Sequence, residues 1–271
     1  MAPEQSGLGA AHMSPLRAVH TAFSWLTVAP LPQPRGDVSR AVGGAAIAAV
    51  PGVGIVLGAV VAAFGFGFSF SALPAPLVGV LAVALLAVAT RGMHLDGLAD
   101  TADGLGCYGD AERVREVMRS GSLGPFGAAT LVLALAVQAI GLAVLIQESR
   151  WYTAVFVIAL SRVSAVIACR RSIAPANADG FGSLVAGTQR YAIAGWLVVA
   201  LVAAPTAARL DDPSWSAAID VVAPLVAVVV VAAFAYVFTA HCARRMGGMN
   251  GDVLGASIEL SLALALVVVL F

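Results

Sequence analysis

Seven apolar blocks dominate the sequence, each close to the roughly 20 residues that a helix needs to cross a bilayer. They run over 41–63, 73–90, 126–147, 151–169, 191–208, 219–240 and 254–271. No water-soluble fold can bury so much apolar length, and the supply of polar side chains agrees. Only 11% of the 271 residues are charged, less than half of the roughly 25% found in an ordinary soluble domain. Disorder is excluded by the same bias, since it needs low hydrophobicity and high charge. The expected fold is therefore all-α, a polytopic membrane helical bundle formed as one domain by the whole chain, 1–271.

Alanine, glycine and valine fill the blocks, and small residues let helix backbones approach closely in lipid, so the bundle should be compact. A further stretch, 16–31, is amphipathic, too short and polar to span, and closed by Pro30, Pro32 and Pro34. It is expected to lie in the membrane interface as an N-terminal helix. Residues 1–15 are expected to be disordered, and no cleavable signal peptide is visible.

Charge placement orients the bundle. There are 15 arginines, no lysine, and 15 acids. With the N-terminus inside, Arg17, Arg35, Arg40, Arg91, Arg113, Arg115, Arg119, Arg170, Arg171, Arg190, Arg244 and Arg245 all fall on cytoplasmic segments. The other side holds Arg150 and Arg209 beside Asp211 and Asp212. This is the positive-inside pattern of a cytoplasmic (inner) membrane protein. The three long polar segments, 91–125, 170–190 and 241–251, then face the cytoplasm, and so would any chemistry. Zero net charge and the lack of a basic run leave nucleic-acid binding unsupported. Cys107, Cys169 and Cys242 have no metal-ligand spacing and, being three, read as reduced thiols. A homo-oligomer is compatible with the sequence but not specified by it.

The most informative segment is HLDGLADTADG, 94–104. Asp96, Asp100 and Asp103 recur at i, i+4 and i+7, along one helical face. Stacked carboxylates repel one another unless a cation lies among them, and carboxylate oxygens with substrate phosphates are the preferred shell of Mg²⁺. The bland alternative is a solvated acidic helix end. Against it stand Gly97, Leu98, Ala99 and Ala102 between the acids, as if packed, and the position of the stripe at the end of an apolar span. His94 falls on the opposite side of the same wheel and reads as a helix-end or substrate contact.

Asp252 and Glu259 form a second acidic pair, again seven residues apart on one helical face. Glu259 lies inside the last apolar block and needs a partner; Arg162, inside the fourth block, is the candidate, either as a structural pair or as part of a substrate site. Asn250 and Asp252 border the flexible run GGMNG, which can approach a phosphate. MRSGSLGPFG, 118–127, offers Arg119, Ser120 and glycine-rich backbone before the third span, an arrangement suited to a diphosphate. Arg113 and Arg115 lie on an amphipathic segment and are candidates to help hold an anionic nucleotide. The stretch 178–187 reads as a loop.

HLDGLADTADG, followed by ERVREVMRSGSLGPFG and by GGMNGDVLGASIEL near the end, resembles the adenosylcobinamide-GDP ribazoletransferase family, also called cobalamin-5′-phosphate synthases. The resemblance extends to LTVAPLP, 26–32, and to Ser161-Arg162; Val28 departs from it, since family members often carry Arg there. It implies joining of adenosylcobinamide-GDP to the 5′-hydroxyl of α-ribazole, or to α-ribazole 5′-phosphate, with release of GMP and a requirement for Mg²⁺. On that reading Asp96, Asp100 and Asp103 hold the metal. Asp252 is the general base, with Asp103 the fallback. His94, Arg119, Ser120, Arg162, Asn250 and Glu259 contact the substrates. Two other readings stand beside it. The DGLA core is loosely similar to CDP-alcohol phosphotransferases, although Asp100 replaces the Arg that normally follows the Ala. A cation or metabolite transporter would instead place its acids near the bilayer midplane.

Overall fold

The computed structural model describes residues 14–32, 34, 37–214 and 219–271. Apart from Ser14 and Pro15, the stretch expected to be disordered lies outside these. Among the described residues eleven helices follow one another: α1 Pro15–Leu26, α2 Arg40–Phe68, α3 Ala75–Ala89, α4 Met93–Gly106, α5 Ala111–Arg119, α6 Pro125–Gln147, α7 Trp151–Ala168, α8 Phe181–Val185, α9 Tyr191–Asp211, α10 Ile219–Met246 and α11 Gly251–Val269. The described residues form no strand, only two isolated bridges. Six helices (α2, α6, α7, α9, α10 and α11) are long and apolar enough to cross a membrane. The remaining apolar block, 73–90, is α3, too short to qualify alone, which joins α4 at a bend of 93° to make a broken crossing.

Local chemistry sets these boundaries. Ser14, Ser39, Asp110 and Asn250 each cap a helix N-terminus by accepting a backbone N–H from the first turn, which satisfies a donor that the helix itself cannot. The 93° bend falls where Arg91 and Gly92 both adopt the left-handed conformation, at φ 58° and 68°. The Gly92 N–H returns to the Ala87 carbonyl at 2.8 Å, closing α3 in a Schellman-type cap before α4 starts. The acidic stripe therefore does not continue the preceding span in a straight line, as the sequence suggests.

α7 is the hub, with 78% of its span buried against 22% for α9 and 28% for α10. α2 packs on it closely: a Cβ added to Gly54 or Gly58 would meet the Cα of Ala159 at 2.9 Å or of Val155 at 2.8 Å. Close backbone approach of this kind is how helices associate where lipid removes the hydrophobic drive. The outer faces of α6, α9 and α10 show Leu133, Ile140, Val198, Val202, Val229 and Val237. At one end of the bundle, α1, α5, α8 and the loops beside them gather over the span ends, and this end carries the site.

Candidate active site

Two glycines bring the acidic segments together where α4 crosses α11. A Cβ on Gly97 would lie 2.7 Å from the Asp252 carbonyl oxygen, and one on Gly255 would lie 3.0 Å from the His94 Cα. Each helix thus seats its backbone in a notch of the other, and Asp252 arrives beside the stripe. Asp100 lies within electrostatic reach of Asp96, Asp252 and Asp103, and Asp252 within that of Asp96. Asn250 orients Asp252: its Nδ2 donates to Asp252 Oδ2 at 2.8 Å, while its Oδ1 accepts the Val253 N–H at 3.1 Å. Asp96 and Asp252 line an open cavity of about 650 Å³ bordered by α1, α2, α4, α7, α8 and α11.

Asp103 has turned to another task. Its carboxylate oxygens accept the backbone N–H of Gly124 at 2.7 Å and of Gly127 at 2.9 Å, at the start of α6. The sequence predicts that these amides hold a substrate diphosphate; the anion that occupies them is the chain's own side chain. With each oxygen accepting one amide and only 8% exposure, Asp103 anchors the start of α6 while staying within electrostatic reach of Asp100, and Asp252 joins Asp96 and Asp100 from α11. Among the described residues no three His, Cys, Asp or Glu side chains form a group that could by itself hold a metal ion.

Glu259 is buried, and its direct contacts are with residues other than Arg162, which stays within electrostatic reach. Its Oε1 is 3.5 Å from His94 Nδ1, and its Oε2 accepts from Gln138 Nε2 at 2.8 Å. Arg162 stays on α7, where its Nη1 donates to the Ile158 carbonyl and to Ser161 Oγ, and its Nε is left without a partner among the described residues. His94 therefore has two neighbours, Glu259 on one side and the cavity on the other. Neither Arg162 nor Glu259 lines that cavity.

Three arginines at this end hold backbone segments in place, and a fourth pairs within its own helix. Arg115 donates to the Met246 carbonyl, Arg245 to those of Cys107 and Gly109, Arg40 to those of Ser183 and Ala186, and Arg113 pairs with Glu116. Arg113 and Arg115 are thus engaged by the protein. Arg119 is exposed at the end of α5, and Ser120 bonds Ser122; neither lines the cavity. Arg91 does line it, and among the described residues its guanidinium has no hydrogen-bond partner. Arg91 thus adds a cation, carried on a left-handed backbone, to the residues that line the cavity. Sequence reasoning counts Arg91 only as a topological marker, although an Arg-Gly pair at the end of an apolar block is a usable signal. Ser24 and Trp25 of α1 and Phe181 of α8 also line the cavity. The stretch 178–187, expected as a loop, contains this short helix.

Residues 18–270, which include every residue of this site, match the cobalamin-5-phosphate synthase family. The chain belongs to that family. It is 35% identical over 257 residues to the adenosylcobinamide-GDP ribazoletransferase of Frankia casuarinae, covering 92% of each chain. To the protein of the same name in Corynebacterium efficiens it is 36% identical over 253 residues, covering 92% of this chain and 89% of the relative. A third such relative, from Nocardioides sp., is 36% identical over 251 residues, with 90% and 94% covered. No solved structure matches. Family membership and the matching lengths favour the ribazoletransferase resemblance over the CDP-alcohol and transporter readings.

Proposed function

We propose that this chain transfers the adenosylcobinamide-phosphate group of adenosylcobinamide-GDP to a ribose hydroxyl of α-ribazole or α-ribazole 5′-phosphate, releasing GMP. An acceptor phosphorylated at 5′ has no hydroxyl left there. The nucleophile common to both acceptors is then a ring hydroxyl, in place of the 5′-hydroxyl suggested by the resemblance. The observation that carries this reading is the meeting of Asp96, Asp100 and Asp252 at the glycine-notched crossing of α4 and α11, with Asp96 and Asp252 in the wall of one cavity.

The donor set suits Mg²⁺, which is commonly held by one or two carboxylates with water and substrate phosphates completing its shell. Asp96 and Asp100, one turn apart, would hold it. When bound, the ion neutralises charge developing on the pyrophosphate oxygens as GMP departs. Arg91 binds the same pyrophosphate from the α3–α4 elbow. Asp252 accepts the proton of the attacking hydroxyl on Oδ1, since Asn250 engages Oδ2. The new P–O bond forms at the phosphorus bearing the cobinamide arm, and the bond from that phosphorus to the bridging oxygen breaks, with the electron pair leaving on GMP. In-line transfer of this kind depends on positioning and electrostatics more than on covalent help from the protein. His94, held by Glu259, stands at the cavity wall as a substrate contact.

The same reading puts the N-terminus and the cavity on the cytoplasmic side of the inner membrane, supported by the arginine distribution. The test is an assay of the detergent-purified chain with adenosylcobinamide-GDP, α-ribazole and Mg²⁺, following GMP and corrinoid product together. Metal-dependent release of GMP in step with the joined corrinoid supports the proposal. Release of CMP from a CDP-alcohol, or no turnover of this substrate pair, overturns it.

A further inference from the structure

The cavity has two chemically different ends. Asp96, Asp252, His94 and Arg91 give one end its charge, whereas the other is walled by Trp25, Phe181, Leu26, Ile47, Val50 and Leu184. Trp25 and Phe181 meet edge to face, with ring centroids 5.9 Å apart and planes at 75°. The two ends adjoin: a Cβ on Gly251, the neighbour of Asp252, would lie 3.7 Å from Phe181 Cδ1. One polar atom interrupts the apolar end. Ser24 belongs to the lining, is only 3% exposed, and has a buried Oγ with no hydrogen-bond partner among the described residues.

We infer that Trp25, Phe181 and Ser24 form the subsite for the flat base of the acceptor riboside, with Ser24 donating to that base's free ring nitrogen. This rests on the reading in the preceding section. An orphaned buried hydroxyl is costly unless a ligand satisfies it, and α-ribazole's benzimidazole brings one acceptor nitrogen on an otherwise apolar bicycle. Guanine, the base of the donor, fits poorly here. Its carbonyl, ring N–H and amino group would face Leu26, Ile47, Val50 and Leu184 with a single hydroxyl to answer them. Aromatic side chains bind a base through its π-face. From this subsite the ribose reaches toward Asp252, so the base is held where its own sugar is the nucleophile.

The experiment is steady-state kinetics of the full chain in detergent, varying each substrate in turn. Trp25→Ala and Phe181→Ala are expected to raise KM for α-ribazole about tenfold or more, a typical loss for one stacking partner. KM for adenosylcobinamide-GDP should stay within about twofold, below the effect of any lost stacking contact. Trp25→Phe should restore most of the affinity, which a general folding defect would not allow. Ser24→Ala should weaken α-ribazole about tenfold, the usual cost of one hydrogen bond. The same variant should change KM by less than about twofold for the matching indole riboside, which carries C–H in place of the ring nitrogen. Loss of affinity for the donor alone, equal loss for both substrates, or equal response of the two ribosides to Ser24→Ala would overturn the subsite. If the wild-type chain releases no GMP from this pair, the underlying reaction fails instead, and the two failures are told apart by that control.

Discussion

Asp96 and Asp103 lie two turns apart on one helix and answer to different demands. Asp96 is exposed at the cavity, whereas Asp103 is bonded to two amides at the start of α6. Their amide variants should part accordingly. Asp96→Asn is expected to melt like the wild type and to lose Mg²⁺-dependent GMP release. Asp103→Asn keeps one acceptor but turns an amino group toward a backbone N–H, and should cost about 1–3 kcal/mol of stability, read from thermal unfolding in detergent. Identical melting of the two variants would contradict the division. Arg91 offers a second separation. Glycine relieves the left-handed strain at φ 58°, so Arg91→Gly should be as stable as the wild type or more so by about 0.5–1 kcal/mol. Its GMP release should nevertheless fall at least about tenfold, the scale of one lost charge-assisted bond. A fall in stability with full turnover would assign Arg91 to the scaffold.

Helix pairs decide how far single residues can act together. The α4–α11 crossing depends on notches that admit no side chain, and Gly97→Ala forces the Asp252 backbone back from a 2.7 Å contact. Overpacking of that kind should cost about 1–3 kcal/mol, measured by the same unfolding, and should lower turnover by moving Asp252 away from Asp96. The crossings themselves are legible in the sequence, because membrane length and apolarity leave little choice. Six apolar blocks reappear as full-length helices, while 41–63 extends to Phe68 and 219–240 to Met246 because the helix continues past the apolar limit. The acidic stripe is legible as a helix as well. Its 93° departure from α3 is not, since the turn occupies only Arg91 and Gly92 and leaves the hydropathy pattern intact. Nor is the tie of Asp103 to the start of α6, because periodicity assigns faces within one helix and says nothing of which neighbour takes a carboxylate. Trp25 and Phe181 escape notice for a related reason: each reads as ordinary apolar packing until the fold brings them together, edge to face, in the wall of a cavity.

The bundle as a whole is polarised, with loop-holding arginines at one end and the Asp211 carboxylate fastening α9 to the start of α7 at the other. Orientation can be read by cysteine labelling after the three native thiols are replaced. Tyr108, 95% exposed beside the site, should as Tyr108→Cys react with an impermeant maleimide from the cytoplasmic side only. Ser214→Cys, at the far end of α9, should react only from outside. The reverse pattern would invert the topology. The enclosure around the acids draws its walls from α1 and from α11, the first and the last described helices. Synthesis runs from one to the other, so the chamber is incomplete until the final crossing has been inserted. A nascent chain arrested before that point has no place to bind a nucleotide, and activity should arrive abruptly with the closing helix instead of building up during translation.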